Sequence, residues 1–469
     1  MSGSYLGFDL KTEGICVKFS KQSAQWAIDI MRLRSRGGGK DARMFAAHLD
    51  AIEELKGFRK EFLFPQLNGK DAIYFVGNSL GLQPRDCAKF VQAELDAWAN
   101  RGVNGHFEGP KPWLNFDDFV VNEMATIVGA LPEEVALMNS LTVNLHLLLV
   151  RFFNASTTQG FKRRKILIEG RSFPSDFYAL ESQLRMRGLN PAECLVEVNP
   201  RRGEHCLRTK DILAEIDRLG SDLALVAFSG VQFYTGQLFD IPAITQAAHA
   251  VGATAVWDLA HAAGSVDLKL HDWNVDGACW CTYKYLNSGP GGVGGFFIHK
   301  RHFNQPLSVD RLQGWWSHRV NTRFEMSNLF EGSVGASEFR LSNVPILTSA
   351  ALLSSLGIFA KTNMQMLRAK SLLLTSFLDS LLNEIRKTVG KELQFQVITG
   401  ESRGAQLSLL FECDEKAKQL NKKLEGMGVM IDYRRPGLIR VAPAPLFSSF
   451  TDVVDFRDAL IRCLSELDG

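Results

Sequence analysis

The sequence predicts an α/β fold, with a mainly parallel sheet covered by helices on both faces and a smaller α+β domain after it. From about Glu134, short apolar or β-branched runs alternate with segments of helical periodicity, a pattern typical of parallel strands joined by helices. After about Pro345 the pattern changes to long helices followed by two strand-like segments. The 469 residues exceed the length of one typical domain, so we expect two or three domains.

The elements of the large sheet can be assigned in order from their periodicity. The strand-like segments are EVALMNS, KILIEG, LALVAFSG and ATAVWDLAH. The helical segments that follow the first three strands are LTVNLHLLLVRFF, SDFYALESQLRMRG and IPAITQAAHAVG. Because a helix lies between successive strands, we expect these strands to run parallel.

The sequence predicts that the chain is divided into an N-terminal segment and two domains. Arg32 to Arg43 read RLRSRGGGKDAR, and three consecutive glycines among charges indicate a flexible junction near the N-terminus. Near the other end, QLSLLFEC and LIRVAPAP are strand-like. We therefore predict an N-terminal segment with the junction at 1–64, a large domain at 65–344 and a small C-terminal domain at 345–469.

Composition and charge exclude several classes of protein. A hydrophobic content of 46% and a charged content of 22% are those of a globular chain, not of a disordered one. The formal net charge of +2 provides no global field for nucleic acid or anionic membranes. No stretch reaches the roughly 18 apolar residues of a membrane span. From the charge and the absence of such a stretch, we expect neither nucleic acid nor membrane as a partner.

The cysteines and the N-terminus indicate a reduced, cytoplasmic protein. Eight cysteines are too sparse for a disulfide scaffold, and Cys279 and Cys281 have no second pair that would give metal-ligand spacing, so no metal site is expected. The first twenty residues contain Asp9 and Glu13 and no continuous apolar core. A secretory signal or a transit peptide is therefore not predicted.

Four groups of polar residues follow predicted strands, at the edge where parallel sheets bind ligands. Asn139 to Thr142 (NSLT) join a strand to a helix, where free backbone N–H groups and the Thr142 hydroxyl suit a phosphate. A plain helix cap explains this group equally well. The other groups are Ser172 to Asp176 (SFPSD), Ser229, and Asp258 with His261.

A lysine follows these groups in the stretch CWCTYKYLNSGPGGVGG. Lys284 alone could simply extend into solvent, and an isolated Asp258 could be a turn former. In chain order, however, Thr142, Asp258 and Lys284 supply an anion site, a partner for a pyridinium nitrogen and an imine-forming amine. The sequence therefore predicts a pyridoxal phosphate site. The glycines after Lys284 match GxGxxG but precede a strand-like segment, so we do not predict a dinucleotide site.

Seven motifs, in one order along the chain, carry a resemblance to a known family. They are IYFVGNSLGLQP, ALMNSLTVNLHLLL, FPSDFYALESQL, FSGVQFYTGQ, WDLAHAAG, CWCTYKYLNSGPGG and GLIRVAPAPLFSSF. They resemble the kynureninases, pyridoxal phosphate hydrolases of the fold-type I aminotransferase superfamily. The resemblance extends from about Asp71 to the C-terminus. It implies a cofactor-binding large domain with a mainly parallel seven-stranded sheet, and a small α+β domain.

The resemblance also implies roles for individual residues. Lys284 would be the catalytic lysine that tethers the cofactor, and Asp258 the catalytic partner of the pyridinium nitrogen. The other residues implied in cofactor binding are Leu141, Thr142, Phe173, Pro174, Ser175, Asp176, Ser229, His261, Tyr283, Trp315 and Asn343. The residues implied in substrate binding are His106, Asn343 and Arg440. Phe173 would stack on the cofactor ring, and Arg440 would bind the α-carboxylate.

The reaction implied by the resemblance is hydrolysis of L-kynurenine or 3-hydroxy-L-kynurenine to anthranilate or 3-hydroxyanthranilate and L-alanine. The resemblance further implies a homodimer with shared sites, in which Trp315 and Asn343 act on the partner's cofactor and substrate.

Two other functions are alternatives to hydrolysis of kynurenine. A cysteine desulfurase needs a nucleophilic cysteine in a mobile loop, but Cys413 and Cys463, the cysteines after Lys284, lie in strand-like and helical segments. A catalytically silent relative that only binds cofactor or a partner protein would have lost Lys284, Asp258 or Arg440. All three are present.

Overall fold

The computed structural model describes residues 39–153, 163–303, 311–387, 390 and 394–468. Its strands are β1 Phe62–Leu63, β2 Gln66–Leu67, β3 Lys70–Asp71, β4 Ile73–Tyr74, β5 Gln83–Pro84, β6 Val135–Leu137, β7 Lys165–Glu169, β8 Leu195–Val198, β9 Leu223–Ser229, β10 Thr254–Asp258, β11 Gly277–Cys281, β12 Gly294–Ile298, β13 Phe395–Val397, β14 Leu407–Phe411, β15 Val429–Met430, β16 Asp432–Arg434 and β17 Leu438–Val441. Its α-helices are α1 Gly39–Ile52, α2 Cys87–Arg101, α3 Asp118–Val128, α4 Leu141–Phe152, α5 Pro174–Met186, α6 Pro191–Cys194, α7 Thr209–Leu219, α8 Ile241–Ala250, α9 Ile346–Phe359, α10 Met364–Ile385, α11 Asp414–Gly426 and α12 Phe450–Asp468.

The described residues form two compact units. Unit 1 contains the residues up to Arg85, Tyr234–Leu238 and the residues from Thr362 onward. Unit 2 contains Asp86–Phe233 and Phe239–Lys361. The predicted ranges 1–64, 65–344 and 345–469 follow chain order, whereas each unit is assembled from separate stretches of chain. Those ranges stay a prediction.

A seven-stranded sheet forms the centre of unit 2, in the order β6-β12-β11-β10-β9-β7-β8. The neighbours from β11 to β8 pair in parallel, and β12 is antiparallel to both β11 and β6. β11 and β12 are buried along their whole length, as expected for a sheet covered on both faces. The predicted α/β class with a mainly parallel seven-stranded sheet is confirmed.

Helix α4 covers one face of this sheet. Its apolar residues, among them Leu148 and Phe152, share one buried cluster with Cys279 of β11 and Phe296 of β12. Burial of this apolar surface is the main stabilising contribution expected for such a unit. The helix therefore begins at a fixed position relative to the ends of the strands.

Unit 1 contains a four-stranded antiparallel sheet, β13-β14-β17-β16, which includes both strand-like segments predicted near the C-terminus. Helices α1, α10, α11 and α12 contribute to its apolar core. In the predicted glycine-rich junction, residues 32–38 lie outside the described residues, and Gly39 to Arg43 form the start of α1. Among the helices that the structure describes, none combines the length and apolar character needed to cross a membrane.

Candidate active site

Three parallel strands of unit 2 end in polar residues at one edge of the sheet. Asp258 ends β10, Ser229 ends β9 and Glu169 ends β7. Asp258 and Ser229 are register partners on neighbouring strands. Together with Asp176 from the first turn of α5, these residues line one pocket. The parallel topology thus brings together side chains that are far apart in sequence.

Asp176 and Asp258 form a hydrogen-bonded pair of carboxyl groups. Burial, followed by the negative charge of Asp258, raises the pKa of Asp176 well above its usual range. Burial also raises the pKa of Asp258, although the hydrogen bond from Asp176 and the Ala260 N–H, 2.7 Å from Oδ1, act in the opposite direction. Of the two groups, Asp176 is the one whose protonated form burial and the neighbouring charge favour more strongly.

Lys284 lies in the turn after β11 and is partly buried. Its positive charge lowers the pKa values of both Asp176 and Asp258, opposing the effect of burial. Its Nζ atom is 5.9 Å from the ring centroid of Tyr283, over the face of that ring. Burial raises the pKa of Tyr283, so its phenol stays neutral near pH 7.

Hydrogen bonds on both sides of Lys284 fix the turn that carries it. Thr282 Oγ1 is 2.6 Å from Ser288 Oγ and 2.6 Å from the Val293 carbonyl oxygen, to which it donates. The Asn287 side chain donates to the Tyr285 carbonyl at 3.0 Å, and Asn287 itself has a φ of 53°. Asparagine tolerates this left-handed backbone better than most residues. These hydrogen bonds therefore fix the backbone position of Lys284.

The N-termini of α4 and α5 meet through a hydrogen bond between Thr142 Oγ1 and Ser175 Oγ, 2.8 Å apart. Among the described contacts, the N-cap residues Ser140 and Phe173 make no side-chain capping hydrogen bond, so backbone N–H groups of both first turns remain available. Such N–H groups and the positive end of the helix dipole favour an anion. Phe173 is 43% exposed, which leaves its ring surface open.

Other predicted site residues lie elsewhere in the two units. In unit 2, Trp315 donates from Nε1 to the Arg323 carbonyl at 3.1 Å, Asn343 is exposed, and the His106 ring is 5.2 Å from that of Trp113. His261 is buried in the turn after β10. None of the four is among the described residues that line the pocket.

Arg440 lies on β17 of unit 1, where it is 2% exposed and forms an ion pair with Asp432. Its NH2 group is 3.3 Å from Ser79 Oγ, and the same hydroxyl is 3.1 Å from Asp432 Oδ2. A buried guanidinium requires such an anionic partner, because an unpaired buried charge is costly. The ion pair fixes the direction of the arginine.

A cluster of Glu134, His271 and His299 has donor atoms within 4.8 Å of one another. Both oxygens of Glu134 accept backbone hydrogen bonds, from Lys300 and Leu131, and His271 Nδ1 is 2.9 Å from the same carboxylate. His299 Nδ1 accepts from the Arg301 N–H, so its other nitrogen carries the proton and faces the His271 carbonyl at 3.3 Å. These hydrogen bonds account for the position of the three side chains without a metal ion.

Known proteins similar to this chain identify its family. Two family models match, Kynureninase C-terminal domain at residues 367–460 and Aminotransferase class-V at residues 196–386. A kynureninase of Flavobacterium johnsoniae is 45% identical over 424 residues, which cover 90% of this chain and 98% of the relative. Kynureninases of Rattus norvegicus and Homo sapiens are 47% and 45% identical, each over 90% of this chain and 93% of the relative. The chain belongs to the kynureninase family.

Solved structures agree with this kynureninase family fold. The cysteine desulfurase CsdA of Escherichia coli has a TM-score of 0.70 at 14% identity, over 88% of this chain and 99% of that chain. A cysteine desulfurase of Thermococcus onnurineus has a TM-score of 0.67 at 16% identity, over 88% and 98%. A C-DES mutant with glycine linked covalently to the PLP cofactor also has a TM-score of 0.67, at 15% identity, over 83% and 96%. At these identities the likeness supports the fold alone.

Membership of the kynureninase family makes the chain a pyridoxal phosphate-dependent hydrolase that acts on carbon–carbon bonds. The residues around this edge of the sheet fit the cofactor. The buried carboxyl groups of Asp258 and Asp176 need a nearby cation, and the Oδ1 atom of Asp176 has no hydrogen-bond partner among the described residues. Two uncapped helix N-termini suit a phosphate, and Lys284 supplies an amine whose charge acts on the pair.

Two residues were not predicted from the sequence, one that lines the pocket and one that fixes the start of α4. Glu169, at the end of β7, lines it together with Asp176 and Asp258. Asn144 is fully buried and donates to the Met138 and Gly295 carbonyls at 3.0 and 3.2 Å, which ties the start of α4 to β12. The signal available for Glu169 was a charged residue directly after the apolar run Ile166–Ile168.

Proposed function

We propose that the protein hydrolyses L-kynurenine and 3-hydroxy-L-kynurenine, releasing anthranilate or 3-hydroxyanthranilate and L-alanine. The observation that supports this most strongly is that Asp258, Asp176 and Ser229 come together at the ends of parallel strands, in a chain that aligns with kynureninases over most of its length. When bound, pyridoxal phosphate supplies an electron sink for the bonds at the α-carbon of the substrate.

The predicted site residues have the following roles in this proposal. Lys284 tethers the cofactor and, once displaced by substrate, moves the proton at the α-carbon as general base and acid. Asp258 keeps the ring nitrogen protonated, because a carboxylate stabilises an adjacent positive charge. Thr142 and Ser175 hold the phosphate at the N-termini of α4 and α5, and Phe173 stacks on the ring. The remaining proposed cofactor contacts are Leu141, Pro174, Asp176, Ser229, His261 and Tyr283.

Arg440 is the proposed partner of the substrate's α-carboxylate. A guanidinium presents donors in a fixed fork that matches a carboxylate, and the ion pair with Asp432 holds this fork in one orientation. His106 and Asn343 are proposed to contact the rest of the substrate. The hydrogen bond between Ser342 Oγ and Asn343 Oδ1, 3.3 Å long, leaves the amide nitrogen of Asn343 as a donor.

A second copy of the chain is the proposed partner. Aromatic rings of Phe107, Trp315 and Phe324 are each about half exposed and contact one another, with centroids 5.9 Å apart for Phe107 and Phe324 and 5.5 Å apart for Trp315 and Phe324. An exposed aromatic cluster of this kind favours burial in an interface. In the proposed homodimer, Trp315 and Asn343 act on the partner's site.

The proposed setting is the cytoplasm, in tryptophan degradation and pyridine nucleotide biosynthesis. The described cysteines form no disulfide bond, and Cys279 and Cys281 are buried, which agrees with a reducing compartment. The near-neutral net charge of +2 supports neither nucleic acid nor membrane as a partner.

The test is a product assay with purified protein. Each of the two substrates is incubated with the holoprotein, and the fluorescent anthranilate and the alanine are quantified together. Each substrate should yield equal amounts of its anthranilate and of alanine. The amount of product formed per enzyme and per unit time then shows which substrate is hydrolysed faster. A yellow protein that releases no alanine from either substrate would contradict the proposal and favour the catalytically silent alternative.

A further inference from the structure

Glu169 is a buried carboxyl group in the pocket to which the proposed mechanism gives no role. It ends β7, is 1% exposed and lines the pocket together with Asp176 and Asp258. Charged residues are almost never buried to this extent unless they are paired. Its position and its partners therefore call for a specific function.

The partner of Glu169 is Ser229 at the end of the neighbouring strand. Ser229 Oγ donates to Glu169 Oε1 at 2.6 Å, and the Ser229 N–H lies 3.2 and 3.3 Å from the two carboxylate oxygens. While Glu169 is ionised, the hydroxyl proton of Ser229 must point at it, since a carboxylate only accepts. A protonated Glu169 can donate instead, which frees the hydroxyl proton of Ser229 to point elsewhere. The protonation state of Glu169 therefore selects whether Ser229 offers a donor or an acceptor.

The other titratable groups around the pocket come from three elements. Asp258 of β10 and Asp176 of α5 are both coupled to Glu169 by charge, and Lys284, after β11, acts on those two carboxyl groups. Cys279 of β11 is fully buried, and burial raises the pKa of its thiol well above the usual range, so it stays neutral. Burial, opposed by the hydrogen bonds from Ser229 and reinforced by Asp258, raises the pKa of Glu169 to about 7.

We propose that Glu169 is a positioning residue of the cofactor pocket, which orients the Ser229 hydroxyl and releases a proton when the protonated ring nitrogen of the cofactor is bound beside Asp258. The proposal rests on the cofactor-binding roles proposed above for Asp258 and Ser229. A positive charge entering the pocket favours the ionised form of each nearby carboxyl group. Ionised Glu169 then holds the hydroxyl of Ser229 through a charge-assisted hydrogen bond.

The first test counts protons. Pyridoxal 5'-phosphate is titrated calorimetrically into the full-length apoprotein, in two buffers of different ionisation enthalpy, at pH 6, 7, 8 and 9. The parent is expected to release more protons than Glu169→Gln, by about half a proton to one proton at pH 6 and by nothing at pH 9. Glu53→Gln is the matched control, because Glu53 is also a buried glutamate whose pKa is raised by burial, but it does not line the pocket. It should match the parent at each pH.

The second test measures positioning through the dissociation constant for pyridoxal 5'-phosphate. Glu169→Ala should weaken binding about three- to tenfold, because the Ser229 hydroxyl loses its partner. Glu169→Gln retains an acceptor for that hydroxyl and should stay within about twofold of the parent. Glu169→Asp retains a titratable group with a shorter reach, so it should release protons like the parent yet bind as weakly as Glu169→Ala.

The outcomes separate this inference from the proposed roles. If the parent apoprotein does not bind the cofactor, the binding roles and the inference both fail. If it binds but parent and Glu169→Gln exchange equal numbers of protons at every pH, the proton role of Glu169 is overturned. Parent-like binding by Glu169→Ala or by Glu169→Asp would overturn the positioning role. Should Glu169→Gln fail to fold, Glu169→Ala, which also lacks a titratable group, is compared with the parent in the proton count, and equal proton release by the two overturns the proton role.

Discussion

The charge of Lys284 acts on a carboxyl pair that the fold, and not the local sequence, assembles. Asp258 is the last residue of β10, whereas Asp176 comes from α5, which begins after a different strand. Because both groups are buried, two negative charges side by side would be unfavourable, and a nearby cation stabilises the ionised form. The lysine and the protonated cofactor are the cations that provide this stabilisation in the proposed mechanism.

Replacement of Lys284 tests its proposed role. Lys284→Ala should lower turnover at least about 10³-fold, because both the tether and the proton carrier are lost, while the circular dichroism spectrum stays unchanged. Borohydride reduction of the parent followed by peptide mapping should place the pyridoxyl label on Lys284. The exposed Lys269, replaced in Lys269→Ala, is the control and should retain parent activity. A label on another lysine would contradict the assignment.

Replacement of Asp258 tests the electron sink. Asp258→Asn should still bind cofactor but should react about one to two orders of magnitude more slowly, since a lost charge-assisted hydrogen bond is worth roughly 1.5–3 kcal/mol. Single-turnover kinetics with saturating cofactor measure the rate. Asp272→Asn changes an exposed aspartate of unit 2 and should be neutral. Parent-like turnover of Asp258→Asn would show that the ring nitrogen needs no carboxylate.

Residue by residue, the sequence could reveal only the parts of the site that have a local signal. Asp258 was recognisable because a strand precedes it and Lys284 follows in an unusual glycine-rich stretch. Glu169 also ends a strand, but its partner Ser229 comes after β8 and three helices in sequence. Their hydrogen bonds depend on β7 and β9 being neighbours in the sheet, and no spacing in the sequence encodes that order.

At the scale of elements, periodicity predicted the positions of the strands in the sequence better than their directions in the sheet. The strand-like segments predicted from residue 134 onward correspond to β6, β7, β9 and β10, and β12 was likewise expected from GGFFIHK. The reversed direction of β12 was not predicted. The connection from β11 to β12 is a turn that carries Lys284 and contains no helix, so the chain cannot cross over and returns antiparallel.

Substitution of Gly295 tests the packing between the antiparallel strands β11 and β12. Gly295 of β12 is the register partner of the fully buried Trp280 of β11, and an added Cβ atom would overlap the indole ring. Gly295→Ala should therefore lower the free energy of unfolding by about 1–3 kcal/mol. Urea denaturation followed by circular dichroism measures this change.

The matched control for Gly295 is another glycine of unit 2 with open space around it. Gly357 lies in α9, and an added Cβ atom would meet nothing within 4 Å. Gly357→Ala should raise the free energy of unfolding by about 0.4–1 kcal/mol, because alanine restricts the unfolded chain and favours the helix. Equal effects of the two substitutions would mean that Trp280 moves aside without cost.

At the scale of the whole molecule, the two units are discontinuous because strands pair across long stretches of sequence. In unit 1, β4 near the N-terminal side pairs in parallel with β15, and Val76 forms a bridge with Ala442. In unit 2, α9 packs against α2. Such pairings leave no mark on local composition or periodicity, so boundaries read along the chain could only be contiguous.

The homodimer is the remaining whole-molecule expectation, and it predicts how two inactive chains behave when mixed. Asn343 is exposed in unit 2 and Lys284 lies in the turn after β11, so a shared site would take Lys284 from one chain and Asn343 from the other. A dimer of Lys284→Ala with Asn343→Ala then contains one site with both residues intact and one site with neither. Each variant alone should be nearly inactive, since all of its sites lack one of the two residues.

Refolding the two variants together in equal amounts should therefore restore activity, to about one quarter of the parent value if subunits pair at random, because half of the dimers are hybrids with one intact site. Distinct affinity tags on the two chains allow the hybrids to be purified and their turnover measured directly. A mixture of Lys284→Ala with the double variant Lys284→Ala, Asn343→Ala is the control, since none of its dimers can assemble an intact site. If purified hybrids of the two single variants stay as inactive as this control, Asn343 acts within its own chain, and the shared site is wrong.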